Sequence, residues 1–448
     1  MSLRTFFVSR AAQHITGLRR QEKARARAEA ERRKTGAMHT IDYYHQADDP
    51  YSHLMVQVLP RLVERYEIRI QVHLVSPPPD WAAPDRDRLI DYSRRDAAVL
   101  ARKAGLDFDD PGHQPAPTQV EQAEAALAAL IDAKQAVGRA AAVSAALWRE
   151  DAPTTPAADP NRVQAIKAEG DTKRDAGDHY LGAMLHYGGE WYWGLDRLHH
   201  LETRLTELGA RQASAPADPI FPPPPVPAQP GEEKGGEPPV APVQAGTEVH
   251  AYLSFRSPYS YLAAVALRDL AEHHGAVIRP RFVLPMVMRG LQVPATKGRY
   301  IVMDVAREAR RLGIPFGKIA DPVGEPVERG YAVMPYAIAE GRDMAFSLSF
   351  LTGVWADGID AGSQSGLQQI VERAGLDWSV AKGEIGTDGW RAIEAANQAE
   401  LLDLGIWGVP SFRVGAVSAW GQDRLWVMDA ALEALKPHEA ADENAVQL

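Results

Sequence analysis

The chain states one order of motifs twice. Asp49-Pro50-Tyr51-Ser52-His53-Leu54 returns as Ser257-Pro258-Tyr259-Ser260-Tyr261-Leu262, 208 positions on when counted between Pro50 and Pro258. Trp193-Gly194-Leu195-Asp196-Arg197-Leu198 returns as Trp420-Gly421-Gln422-Asp423-Arg424-Leu425, 227 positions on. Two copies of one fold, the second longer by 19 residues, account for both offsets. A period this long means tandem domains, because solenoid units recur every ~20 to 50 residues. A length of 448 residues with 45% hydrophobic content suits two or three globular domains, each burying its own core.

A net charge of −10 argues against a nucleic-acid-binding body, which needs clustered positive charge. The chain has no cysteine, so thiol nucleophiles, disulfides and thiolate metal sites are excluded. No stretch approaches a membrane span and no secretory signal is evident, so a cytoplasmic location is expected. Residues 1–38 hold ten Lys or Arg against three Glu, with Leu3, Phe6, Phe7, Ala11, His14, Ile15 and Leu18 at helical spacing. This pattern predicts a basic amphipathic helix. It would dock on an anionic membrane surface or a protein groove, or lie as a solvated arm on the first domain.

In residues 39–211 the pattern predicts a strand at Ile41 to His45, a helix from Pro50 to Tyr66, and a strand in which Ile68, Ile70, Val72 and Leu74 alternate with polar residues. A helical block follows from Arg86 to Ala176, then short strands at 183–187 and through Trp191 and Trp193 around Gly188-Gly189, and a closing helix. Residues 212–247 contain eleven prolines and one aromatic, Phe221, and read as an extended linker without a packed core. Residues 248–436 repeat the order, with Pro410 heading a strand from Ser411 to Val417, and 437–448 read as a tail.

Ser257 stands where a strand ends and a helix begins, with Pro258 at the first helical position. Its plain reading is a helix cap, the role Asp49 has in the first copy; its functional reading is a hydroxyl at the positive end of a helix dipole, where an anion is stabilised. Around it, the second copy resembles the thioredoxin-like superfamily of disulfide oxidoreductases, and within it the 2-hydroxychromene-2-carboxylate isomerases and kappa-class glutathione transferases. The resemblance rests on Ser257-Pro258-Tyr259-Ser260, where the oxidoreductases carry Cys-x-x-Cys, and on Lys297-Gly298-Arg299-Tyr300. It continues in Gly405-Ile406-Trp407-Gly408-Val409-Pro410-Ser411-Phe412 and Trp420 to Leu425. It implies an α/β fold of two tandem thioredoxin-like (DsbA-like) domains, each with an inserted helical subdomain.

The resemblance also implies bound glutathione, with Ser257 donating a hydrogen bond to its sulfur, a cis peptide before Pro410, and the backbone of Val409 pairing with the tripeptide. It implies that Gln422, Asp423 and Arg424 hold the γ-glutamyl end and that Lys297 pairs with a glutathione carboxylate. Bland alternatives stand beside these: a capping turn with a surface Asp–Arg pair, and an ordinary helix-initial lysine. In the first copy Asp49 replaces the serine and Ala183 stands at the place of Pro410, so that copy is expected to be non-catalytic. His199-His200 and His273-His274 read as surface pairs and no metal site is expected. Trp191, Trp193, Trp407 and Trp420 read as packing residues, the last two flanking the cleft.

The expected function is a glutathione-dependent isomerase of a small unsaturated or aromatic carboxylate. The alternatives are a kappa-like glutathione transferase, or a non-catalytic tandem thioredoxin-fold protein binding a partner through its linker or N-terminal helix. A homodimer is compatible with either, and dithiol oxidoreductase chemistry is excluded because no thiol exists to exchange.

Overall fold

The computed structural model describes residues 10, 12–224 and 243–436, which fall into two compact units. The N-terminal unit comprises Leu18–Pro223 together with Val293–Tyr300, and the remaining described residues form the C-terminal unit. Among the described residues no helix is long and apolar enough to cross a membrane.

The N-terminal unit is built on a four-stranded sheet in the order β2-β1-β3-β4, from β1 (His39–His45), β2 (Ile68–Leu74), β3 (Met184–Tyr187) and β4 (Glu190–Trp193). β1 runs parallel to β2 and antiparallel to β3, and β3 and β4 form a hairpin across Gly188-Gly189. Ile68, Ile70, Val72 and Leu74 of β2 are buried while Arg69 and Gln71 are exposed, as the two-residue period of a strand requires. The crossover from β1 to β2 is helix Pro50–Arg65, and four helices from Arg86 to Ala176 are inserted between β2 and β3.

Two expectations need adjustment in this unit. The basic N-terminal segment was expected to be one amphipathic helix over 1–38. Its described part breaks at Gly17, and helix Leu18–Thr35 buries none of its residues. Leu3, Phe6, Phe7 and Ala11 lie outside the described residues. Polar contacts to the edge of β4 hold this helix: Arg25 donates to both carboxylate oxygens of Glu190 at 2.7 and 2.8 Å, and Gln21 donates at 3.0 Å. The linker was expected to start at 212, but the unit runs on to Pro223. The buried Glu202 carboxylate accepts from the amide of Ile220 at 3.0 Å, Arg65 donates to the carbonyl of Asp218 at 2.6 Å, and Ile220 and Phe221 are buried. Residues 225–242, the proline-rich remainder, lie outside the described residues.

The C-terminal unit repeats the sheet as β6-β5-β7-β8, from β5 (Glu248–Leu253), β6 (Val277–Phe282), β7 (Ser411–Val414) and β8 (Val417–Trp420). The single strand expected over Ser411 to Val417 is therefore the first arm of a hairpin that turns at Gly415, whose φ of 55° suits glycine. The offset of 208 persists into the helical block. The Tyr51 hydroxyl donates to Asp96 and the Tyr259 hydroxyl to Asp304, each at 2.7 Å and across 45 residues. It still holds at the helices starting at Pro117 and Glu325. The surplus residues fall between Gly358 and Gly389, where helices Gln364–Arg373 and Trp378–Glu384 have no counterpart in the first copy.

An aromatic core under β5 fixes the strand end that leads to Ser257. Phe255 stacks on Phe350 with ring centroids 4.2 Å apart, its amide donates to the Tyr331 hydroxyl at 3.4 Å, and its carbonyl accepts from the Trp355 indole at 3.2 Å. Tyr331 in turn donates to the carbonyl of Val283 at 2.7 Å. The histidine pairs, expected at the surface, each bury one member, while His273 is exposed and His200 half-buried. His199 is buried in the N-terminal unit, and His274 is fully buried in the C-terminal unit with Nε2 2.7 Å from Asp429.

Candidate functional site

In the C-terminal unit Ser257 is the N-cap of helix Pro258–His274, with extended backbone (φ −98°, ψ 113°). Its Oγ accepts from the amide of Ser260 at 3.1 Å, satisfying one of the amides a helix start leaves open. The hydroxyl is half-buried and gives its hydrogen to no described residue, so it stays a donor at the positive end of the helix. Ser260, fully buried one turn on, accepts from the amide of Ser254 at 3.2 Å and so closes the turn that presents Ser257.

The second element is the loop into β7, in which the Val409–Pro410 peptide is cis. Flanking carbonyls are already engaged, that of Trp407 by Arg289 at 3.1 Å and that of Gly408 by the Ser411 hydroxyl at 2.8 Å. The N–H and carbonyl of half-buried Val409 enter no hydrogen bond among the described residues. Gly408 is required by packing: a Cβ there would fall inside the indole of Trp420, whose ring lies 5.1 Å from that of Trp407 at 68°. Burial lowers the pKa of Arg289, and burial raises that of Glu394, whose carboxylate accepts from the amide of Leu284 at 2.8 Å.

Gln422, Asp423 and Arg424 form a single 3-10 turn after β8, beside helix Pro258–His274. The amide of Gly421 donates to the carbonyl of Pro410 at 2.8 Å, tying this turn to the cis-proline loop, and Gln422 donates to Asp423 at 2.7 Å. Gln422 and Arg424 are buried, which goes beyond the surface pair of the bland reading. Ser257 and the loop and turn from Val409 to Arg424 thus belong to one compact unit. Lys297 does not belong to it. It lies in Val293–Tyr300, which groups with the N-terminal unit, and burial pushes its ammonium down to about 8.

Residues 248–433 match the family model of the DSBA-like thioredoxin domain. They form a DSBA-like thioredoxin domain. This domain is homologous to 2-hydroxychromene-2-carboxylate isomerases. The chain is 26% identical to the enzyme of that name from Pseudomonas putida over 192 residues, 41% of this chain and 93% of the relative. It is 26% identical to that of Sphingobium xenophagum over 189 residues, 40% of this chain and 95% of the relative. A solved structure of a 2-hydroxychromene-2-carboxylate isomerase matches with 26% identity and a TM-score of 0.37, covering 42% of this chain and 95% of that one.

The N-terminal unit carries different residues at the positions of Ser257 and Pro410. Asp49 caps helix Pro50–Arg65 in place of Ser257, accepting from the amides of Tyr51 and Ser52 at 3.3 and 3.0 Å and from the Ser52 hydroxyl at 2.7 Å. Burial pushes its carboxyl up to about 6, and those hydrogen bonds only partly offset the rise. Ala183, at the position of Pro410, donates its amide to Ser52 Oγ at 3.0 Å, a contact that proline lacks the N–H to make. A carboxyl thus stands in the first unit where the second has the Ser257 hydroxyl. The motif reading missed Arg289 and Tyr331, which hold backbone carbonyls of the DSBA-like domain and carry no motif signal, and it quoted Ser411 within a motif without assigning its hydroxyl a role.

Proposed function

We propose that the DSBA-like domain is a glutathione-dependent isomerase acting on a small unsaturated or aromatic carboxylate. The observation that carries the reading is the Ser257 hydroxyl, held in place by the Ser260 amide with its hydrogen still available, in a chain without any thiol of its own. Glutathione, when bound, supplies a thiolate able to add to a conjugated carbon and to leave again after rotation about the former double bond. Ser257 donates to the sulfur. A hydrogen bond to a charged group contributes about 1.5–3 kcal/mol, equivalent to a fall of about 1 to 2 in the thiol pKa, and the helix terminus adds about 0.3–1 kcal/mol in the same direction.

Val409 offers a free amide and carbonyl for strand-like pairing with the tripeptide. Asp423 supplies an anion for the γ-glutamyl ammonium, while Gln422 and Arg424 supply donors for its carboxylate. Trp407 and Trp420 give an aromatic wall suited to a flat substrate.

Calorimetric titration with glutathione, followed by turnover of a cis-configured arylidene carboxylate, tests the proposal. Binding with unconsumed glutathione supports isomerisation, whereas stoichiometric loss of glutathione identifies a transferase. Absence of binding, or full activity in Ser257→Ala, refutes the assignment.

A further inference from the structure

The N-terminal copy keeps the loop that precedes β3 although it has lost the serine and the proline. By the offset of 227, Asp178-His179-Tyr180-Leu181-Gly182-Ala183 is the counterpart of Gly405-Ile406-Trp407-Gly408-Val409-Pro410. The same compact unit contains Val293–Tyr300, drawn from the inserted block of the second copy. Thr296 and Arg299 both donate to the Asp178 carboxylate. The ring of Tyr300 meets that of His179 edge-on, with centroids 4.7 Å apart at 89°. Tyr300 also packs against the cluster of Tyr44, Val75 and Met184, together with Leu181, Trp191 and Trp193. His179 is braced from both sides, stacked on Tyr180 at 5.0 Å and lying 4.5 Å from Trp191.

We infer that the N-terminal copy has become a peptide clamp whose guest is Val293–Tyr300 of its own chain. The charges are complementary, since the loop offers a carboxylate and the guest brings a hydroxyl and a guanidinium to it. The apolar contacts are complementary too, because one guest ring fills against the aromatic wall. Each side chain the guest uses, Thr296, Arg299 and Tyr300, lies in the span covered by the Lys-Gly-Arg-Tyr motif and its preceding residue. The clamp excludes any other ligand from the loop and fixes the backbone that carries Lys297. This role goes beyond the proposed reaction and does not depend on it.

The test uses the full chain and hydrogen exchange of residues 293–300, with the amides of β1 as an internal reference. The double variant Arg299→Asp with Tyr300→Ala is expected to raise exchange in that segment on the order of tenfold or more while β1 stays protected, as loss of a charge-assisted contact and a ring contact requires. A synthetic peptide of residues 292–302 is then expected to bind the double variant and not the unaltered chain. Should the double variant unfold, Asp178→Asn keeps the shape of the loop and removes its charge. It is expected to give the same selective rise. Unchanged protection of 293–300 in the folded variants, or equal binding of the peptide to the double variant and the unaltered chain, overturns the inference. Neither readout involves glutathione, so these outcomes leave the proposed reaction separately testable.

Discussion

Replacing Asp49 by asparagine should make the N-terminal unit less sensitive to alkali, by an amount the structure allows to be worked out. Burial raises the folded pKa of this carboxyl from 3.8 to about 6. A raised carboxyl pKa means the folded state holds its proton more tightly than the unfolded chain. The associated stability is present below the unfolded value and is lost as pH rises through the folded one. Between about pH 5 and pH 7.5 the loss integrates to roughly 1.4 kcal/mol, on the scale of 1.36 kcal/mol per unit of pKa. An asparagine side chain at this cap is close to aspartate in shape, can still accept from the amide of Ser52 with its single oxygen, and cannot ionise. Native-state hydrogen exchange of Leu54, Met55, Val56, Val58, Leu59 and Leu62, buried in the helix Asp49 caps, reads the opening free energy at each pH. The unaltered chain should lose about 1.4 kcal/mol more than Asp49→Asn across that interval. Parallel profiles would refute the assignment of a buried, reluctantly ionised carboxyl at this helix start.

Gly408→Ala should displace Trp420, cost about 1–3 kcal/mol by overpacking, and weaken glutathione binding, visible together in tryptophan fluorescence and calorimetry. Tyr331→Phe removes the donor to Val283 and leaves the Phe255 amide unsatisfied, so the C-terminal unit should lose about 1–3 kcal/mol in urea unfolding without any change in its sheet. At Glu190 burial raises the pKa, but hydrogen bonding and charge from Arg25 outweigh it and hold the carboxyl at about 2. That contribution is present above the unfolded value of 4.5 and is lost as pH falls toward 2. Arg25→Ala should therefore remove this acid dependence and raise hydrogen exchange across Leu18–Thr35.

Much of the architecture was legible because local rules and global fold agree. An N-cap followed by proline marks both crossover helices, two-residue alternation marks β2, and Gly188-Gly189 marks the β3–β4 hairpin. The turn between β7 and β8 was harder, since Ser411 to Val417 reads as one run until Gly415 bends it. What the sequence hid is long-range. Glu202 captures the linker at Ile220, Val293–Tyr300 packs with the first copy, and His199 and His274 are buried where adjacent histidines on a helix suggested solvent. No period or motif announces these contacts, and the Lys297-Gly298-Arg299-Tyr300 motif does not say what its segment packs against. At the candidate site, Ser257, Pro410 and Gln422 to Arg424 announce themselves by repetition and contrast with the first copy. The supports that orient them, Arg289 on the Trp407 carbonyl and Ser411 on the Gly408 carbonyl, act through backbone atoms any residue possesses.

The central claim is that Ser257 holds a borrowed sulfur as its thiolate. Titrating the ultraviolet absorbance of the thiolate of bound glutathione against pH measures this directly. The midpoint should lie below that of free glutathione and rise by about 1 to 2 in Ser257→Ala. A midpoint equal to that of the free tripeptide, or one indifferent to the loss of the hydroxyl, would contradict it.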